Sequence, residues 1–222
     1  DSWSTIAANV KAGNTDKYNI GDTKEVDLGE FGTHTVRIAN KSACTNGETS
    51  ETACGFVIEF VDIITEHQFN STATNVGGWK DSEMRKYVNE TIYNAFPSGL
   101  QNIITTTKVI SGHGKTSGET NFETQDKLYL LSTKEVSGSA IDDTVDAETR
   151  QLDYYKILGV TETNYKNVGK IAAGFFGLRT AASHSTSHVK ILDFENDGWV
   201  SIPANYGGSA GSIPIFPAFR IA

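Results

Sequence analysis

The chain has 222 residues, 38% of them hydrophobic and 21% charged, a composition that excludes intrinsic disorder and allows a core without metals or many disulfides. Its formal net charge of -8 excludes a nucleic-acid surface and disfavours an anionic membrane. No apolar run is long enough to span a bilayer, so no membrane insertion by this segment is expected.

Trp3, Ile6 and Val10 share one helical face, which predicts a short amphipathic helix over 3–12, stopped by Gly13 and Asn14. Val26 and Leu28 alternate with charge as a half-buried strand does, and 34–39 is the expected hairpin partner. Cys44 and Cys54 flank a polar loop with an Asn46-Gly47 turn. A disulfide across that loop suits an oxidising compartment and would contribute roughly 3 kcal/mol; two free thiols are the alternative. Residues 55–64 read as a long, mostly buried strand. Asp81 or Ser82 caps a helix over 82–95, in which Met84, Val88 and Ile92 recur every fourth residue. Pro97 starts a shorter helix through Ile104. Then come a Gly/Ser/Thr-rich loop at 111–121, a strand at 127–132, an exposed acidic loop at 137–146, and a short helix through Leu152, Tyr155 and Leu158 ended by Gly159. Beyond Lys170 the pattern is β: strands at 189–194 and 199–202, a loop over 203–213, and a closing strand at 215–221. The sum is an α+β fold, two or three helices packed on a twisted antiparallel sheet completed by the C-terminal strands.

Two apolar clusters near the C-terminus, each with one Arg, bracket a polar segment. Apolar brackets bury, and the residues between them face water or a ligand. The candidate ligand-binding residues are Phe176, Ser183, His184, Ser185, Thr186, Ser187, Trp199, Ser201, Asn205 and Tyr206, on a face spanning about 176–213. Ser, Asn, Tyr and Trp are the residue types of adaptable binding surfaces, although a plain polar loop with incidental aromatics has the same composition. Arg179 and Arg220 are expected to bond carbonyls or carboxylates and hold the C-terminal sheet together. Trp3 and Trp79 are expected in the core.

Signals for catalysis or a cofactor are weak. The five histidines stand near no nucleophile motif, and Asp142/Asp143 and Asp62/Glu66 read as solvated charges. No catalytic residue and no metal site is expected. His184 and His188 are four apart, but before a strand that spacing is poor for a metal. Asn196 and Asp197 beside Trp199 would supply only part of a calcium site, and Asn-Asp-Gly between two strands is a hairpin-turn signal.

Gly77-Gly78-Trp79-Lys80-Asp81-Ser82-Glu83-Met84-Arg85, with Tyr87, Tyr93, Pro97 and Leu100, resembles an uncharacterised family of bacterial domains found in secreted and cell-wall proteins of gut Firmicutes. That family's later signature, approximately W-W-L-R-S-A and then G-V-x-P-A-F-R-I, is matched here by 176–181 and 214–221, with Phe176 and Gly177 in place of the paired Trp and Pro214 in place of the Gly. The resemblance covers most of 3–222. The C-terminal pattern also resembles the C-type-lectin-like fold of formylglycine-generating enzymes and of the variable receptors of diversity-generating retroelements. What the resemblance implies is that fold and a surface-exposed binding role. Copper-dependent formylglycine generation needs an active-site cysteine pair, and here both cysteines lie on an early loop.

The expected function is therefore non-enzymatic: an extracellular binding or adhesion domain, at the cell surface or secreted, that takes a glycan or protein ligand without a cofactor. In its sharper form the segment 176–213 is diversified by a retroelement. A structural spacer domain and a carboxylate-dependent hydrolase are the alternatives. The chain opens on Asp1 without a signal-peptide pattern, and 1–222 reads as a single, monomeric domain cut from a larger surface protein.

Overall fold

The computed structural model describes residues 1–168, 174–194, 198–207 and 212–222. The chain folds as α+β, with short helices laid against antiparallel sheets. Helix α1 (Trp3–Lys11) starts where the Ser2 hydroxyl accepts the Thr5 N–H at 3.1 Å. It turns Ile6 onto the sheet and sets Trp3 edge-on to Phe219, ring centroids 6.5 Å apart. Strands β1 (Thr23–Asp27) and β2 (Thr33–Asn40) form the expected hairpin. β2 continues onto β3 (Phe56–Phe60), which ends earlier than the apolar run suggests. Between them the Cys44–Cys54 disulfide closes the polar loop.

After the two-residue β4 (Glu66–His67), helix α2 (Glu83–Tyr87) begins at Ser82, whose hydroxyl accepts the Arg85 N–H at 3.0 Å. The predicted long helix does not stay regular. It opens into a π-helical turn over Val88–Ile92, where the Asn89 side chain reaches out to the next segment. Its amide donates to the Leu128 carbonyl at 2.8 Å, and its carbonyl accepts the Lys127 and Leu128 N–H groups, each at 3.0 Å. That contact also corrects the predicted strand at 127–132. The segment is fully buried from Leu128 to Leu131, but side chains take the Leu128 backbone groups and the Leu130 carbonyl, while Tyr129 bridges to Ala218 and the Leu131 carbonyl accepts the Arg179 N–H.

Helix α3 (Ser98–Gln101) follows Pro97, and the short β5 (Ile104–Thr105) leads into a hairpin of β6 (Thr107–Ser111) and β7 (Phe122–Asp126). The hairpin is not evident from the sequence. Helix α4 (Thr133–Ser137), also absent from the expected elements, carries a capping box: Ser132 accepts the Glu135 N–H, and the Glu135 carboxylate accepts the Ser132 N–H. The segment expected as an exposed acidic loop after it is half-buried, with Val145 fully so. Helix α5 (Asp153–Ile157) then precedes β8 (Phe175–Ala181), β9 (His188–Asp193), β10 (Gly198–Pro203), β11 (Ile213–Pro214) and β12 (Ala218–Ile221).

The larger sheet has the order β1-β2-β3-β12-β5, so the last strand lies inside it, between elements from the first half of the chain. The register sets Ile58 beside Phe219 and Ile38 beside Ile58, an apolar face on which Phe60, Phe96 and Phe219 cluster at 5.7–6.4 Å. The opposite face buries a charge pair. Arg37 Nε donates to Glu59 Oε1 at 2.8 Å, and the Tyr155 hydroxyl of α5 donates to Glu59 Oε2 at 2.8 Å. The second sheet has the order β10-β9-β8. β11, paired with β4, lies over β8 at Gly177, where a Cβ would fall 2.4 Å from the Pro214 carbonyl oxygen. A Trp at 177 would therefore collide with the chain, and the position belongs to no open face. Trp79 is fully buried as expected, its indole N–H donating to Asp126 at 2.9 Å.

Candidate functional site

The middle of β9 places a charge inside an apolar strand. Val189, Ile191 and Leu192 are buried, as an internal strand requires, yet Lys190 between them is only 3% exposed. A buried ammonium needs partners. Lys190 Nζ donates to Asp142 Oδ2 at 3.0 Å and to the Trp199 carbonyl at 3.2 Å. Asp142 stands on the loop between α4 and α5 with φ +50°, a backbone region that non-glycine residues seldom enter. It is held there by the Lys190 contact, by the Ser183 N–H donating to its carbonyl at 2.8 Å, and by His184 Nδ1 at 3.4 Å from Oδ2.

The next carboxylate anchors the same loop from below. Asp143 accepts the Thr180 hydroxyl at 2.7 Å and the Thr144 N–H at 2.8 Å. Burial pushes its carboxyl up to about 6, against the opposing pull of the Thr180 hydrogen bond and the Arg179 charge. It fits because residue 112 is glycine, where a Cβ would lie 2.2 Å from Asp143 Oδ1.

Trp199 is the second residue of β10, and its indole N–H donates to the Glu162 carbonyl at 3.0 Å, which ties the strand to the 162–165 loop. Gly198 allows the Tyr165 ring to lie against the strand. Residues 139–142, Glu162, Thr163 and Tyr165 thus face Lys190 and Trp199 across a groove of about 650 Å³. It presents two aromatic rings beside carboxylates, hydroxyls and backbone polar groups. A smaller cavity of about 310 Å³ lies between α1 and the first sheet, lined mainly by Trp3, Ile6, Tyr18, Val36, Ile38 and Phe56, and it holds none of the candidate residues.

The predicted residues do not form one face. Trp199 lines the groove, and His184 stands at its edge through Asp142. The 183–187 loop is held by Asn75, whose amide donates to the Ser185 and His188 carbonyls at 2.9 and 2.6 Å and whose N–H donates to the Thr186 carbonyl at 2.9 Å. Ser185 and Ser187 turn their hydroxyls to His188 Nδ1, at 2.8 and 3.0 Å, while the Thr186 side chain stays exposed. The Ser201 hydroxyl is buried rather than presented. Asn205 and Tyr206 lie beyond the other end of β10, where the Asn205 carbonyl accepts Gln68 and the Tyr206 ring meets Phe175 edge-on. Trp199 and Pro203 are about four positions apart along the strand, roughly 13 Å. Phe176 is the plain correction: it is fully buried between Phe216 and Phe194, because inward positions of β8 pack on the closing segment. Residues 195–197, read as a turn or a partial calcium site, lie outside the described residues. Among the described residues no cluster of three or more His, Cys, Asp or Glu side chains is placed to hold a metal.

Arg179 and Arg220 do bond carbonyls and carboxylates. Arg220 Nε donates to the Cys54 carbonyl at 2.9 Å and Nη1 to Glu51 at 2.8 Å, joining the disulfide loop to the last strand. Arg179 is fully buried and bidentate to Glu135, both contacts at 2.6 Å, with further bonds to the Leu130 and Ile110 carbonyls. Burial alone would raise the Glu135 carboxyl, but the Arg179 guanidinium overrides it and holds the group below the usual carboxylate range.

No curated protein and no solved structure matches the chain. One family does, and its match over residues 57–222 takes in every residue that lines the groove. By that match the chain belongs to the family described as a domain of unknown function, DUF6273.

Proposed function

We propose that the chain is an extracellular binding domain whose site is the groove over Lys190, and that its ligand is a saccharide. The observation that carries this reading is the Trp199 ring, fixed by its own N–H bond to the 162–165 loop, beside the exposed polar groups of Asp142, Glu162 and Thr163. An apolar ring face next to hydrogen-bonding groups complements a sugar, which has C–H faces and hydroxyl edges. The Cys44–Cys54 disulfide supports an oxidising compartment, and no helix among the described residues is long and apolar enough to cross a membrane. The insertion of β12 between β3 and β5 supports a C-type-lectin-like fold, as the C-terminal motif implies. Ligand-facing variation would concentrate at Trp199, Thr186 and the groove loops, because β8 within 176–213 is core.

The test is binding of the domain to an immobilised panel of host and bacterial glycans, with Trp199→Ala as the comparison after its thermal melt shows it folded. Glycan binding lost in the variant supports the reading. Binding that survives moves the site elsewhere, and a panel without a hit favours the spacer alternative.

A further inference from the structure

The charges in the groove differ in what they offer an incoming molecule. The Lys190 ammonium has a side chain only 4% exposed, and it is already held by Asp142 and the Trp199 carbonyl. The carboxylates remain open. The Asp142 side chain is 41% exposed and lines the groove, and its contacts to Lys190 and His184 both use Oδ2, so neither engages Oδ1. Glu162 is exposed and engages Trp199 through its backbone carbonyl, while its carboxylate joins no ion pair among the described residues. The accessible charge is therefore negative, and the Trp199 and Tyr165 rings line the same space. Carboxylates beside aromatic faces attract a cation twice over, by charge and by the ring quadrupole. The net charge of -8 adds a long-range pull of the same sign.

We infer that the groove selects a saccharide carrying a primary ammonium, an amino sugar whose nitrogen is not acetylated. The ammonium meets Asp142 and Glu162, and the pyranose ring lies against Trp199. This rests on the saccharide reading above and narrows it. Acetylation turns the ammonium into a neutral amide, which removes both charge contacts and keeps the ring contact, so the discrimination is sharp in chemistry and moderate in size.

The experiment is titration calorimetry at pH 6 and low salt with β-1,4-linked glucosamine trimer, with the N-acetylated trimer and with trilysine. It uses the wild type, Glu162→Gln and Trp199→Ala. The expected result is that the unacetylated trimer binds at least fivefold tighter than the acetylated one. Glu162→Gln should cut that preference by at least twofold with an unchanged melting temperature, and Trp199→Ala should abolish binding of both sugars. Equal affinity for the two trimers, lost in Trp199→Ala, overturns the selectivity and leaves the saccharide reading standing. A glycan panel whose hits are all neutral sugars does the same. Trilysine bound through Trp199, with neither sugar bound, overturns both readings in favour of a cationic peptide.

Discussion

Neighbouring strands β8 and β9 each bury a cation, and the two are handled in opposite ways. Arg179 on β8 is 1% exposed, and Glu135, its partner, is wholly buried. The guanidinium is bidentate to Glu135 and also donates to two backbone carbonyls, so both Nη groups are closed off from solvent, and only the buried Nε is left without a partner. Lys190 on β9 is equally buried, but its carboxylate partner stands 41% open to solvent on a loop with a left-handed residue. The closed pair can only hold parts of the fold together: α4, the 130 segment, β6 and β8 meet on Arg179. The half-open pair also positions a surface. Burial of a charge is therefore no guide to function by itself; what decides is whether the counter-charge is buried with it.

That contrast is broken or sharpened by removing each cation. Arg179→Ala leaves the Glu135 carboxylate buried and uncompensated, and the expected loss is about 3–5 kcal/mol, larger than for any change to the Lys190 pair. Urea denaturation followed by fluorescence measures it, and a loss below about 1 kcal/mol would make the closed pair a bystander. Lys190→Met keeps the volume of the stem and removes the charge. Asp142 then turns to water, so the expected loss is only about 1–2 kcal/mol. An equal loss for the two variants would erase the distinction between frame and site.

Much of the framework was legible in the sequence, because it rests on local rules. The apolar period of α1, the Ser82 cap, the alternation of β1 and the turn to β structure after residue 170 each appear in place. So does the cysteine pair across its loop. Two of the failures involve a side chain acting at long range. Asn89 takes over the backbone at 127–128, turning an apolar run away from strand pairing and opening its own helix. The capping box at Ser132 and Glu135 was readable as a motif, yet the same Glu also closes on Arg179, 44 residues away. Of the site, Trp199 was legible as an aromatic among polar residues. Asp142, Glu162 and Tyr165 were not, since only the fold brings their loops to β9 and β10. The one available signal was Lys190 itself, a single charge within the run Val189 to Leu192. Phe176 failed for the converse reason: an aromatic at the edge of a polar segment looks exposed until its strand is paired on one side and covered on the other.

Asp143 lies between the two pairs and supplies the smallest of the expected effects. It touches Thr180, the residue after Arg179, and it follows Asp142 in the loop. Its carboxyl is raised from the ordinary 3.8 to about 6 because burial penalises the charged form. A carboxyl raised by folding favours the native state while protonated. Its contribution is fully present below pH 3.8 and is lost as pH rises through about 6. At neutral pH the wild type therefore carries a buried charge that Asp143→Asn removes. The asparagine carbonyl keeps the Thr144 N–H, but its amide can only donate to Thr180, whose hydroxyl already accepts the Thr133 N–H; that reversal costs the Thr180 proton its acceptor equally at every pH, so the pH-dependent part of the difference remains. The variant should gain on the wild type by about 1 kcal/mol between pH 5 and pH 7.5, measured as the difference between the two stability curves. A difference that is flat across that range would mean that the loop opens enough to hydrate Asp143. The Asp142 wall of the groove would then be less firmly set than the Lys190 contact alone suggests.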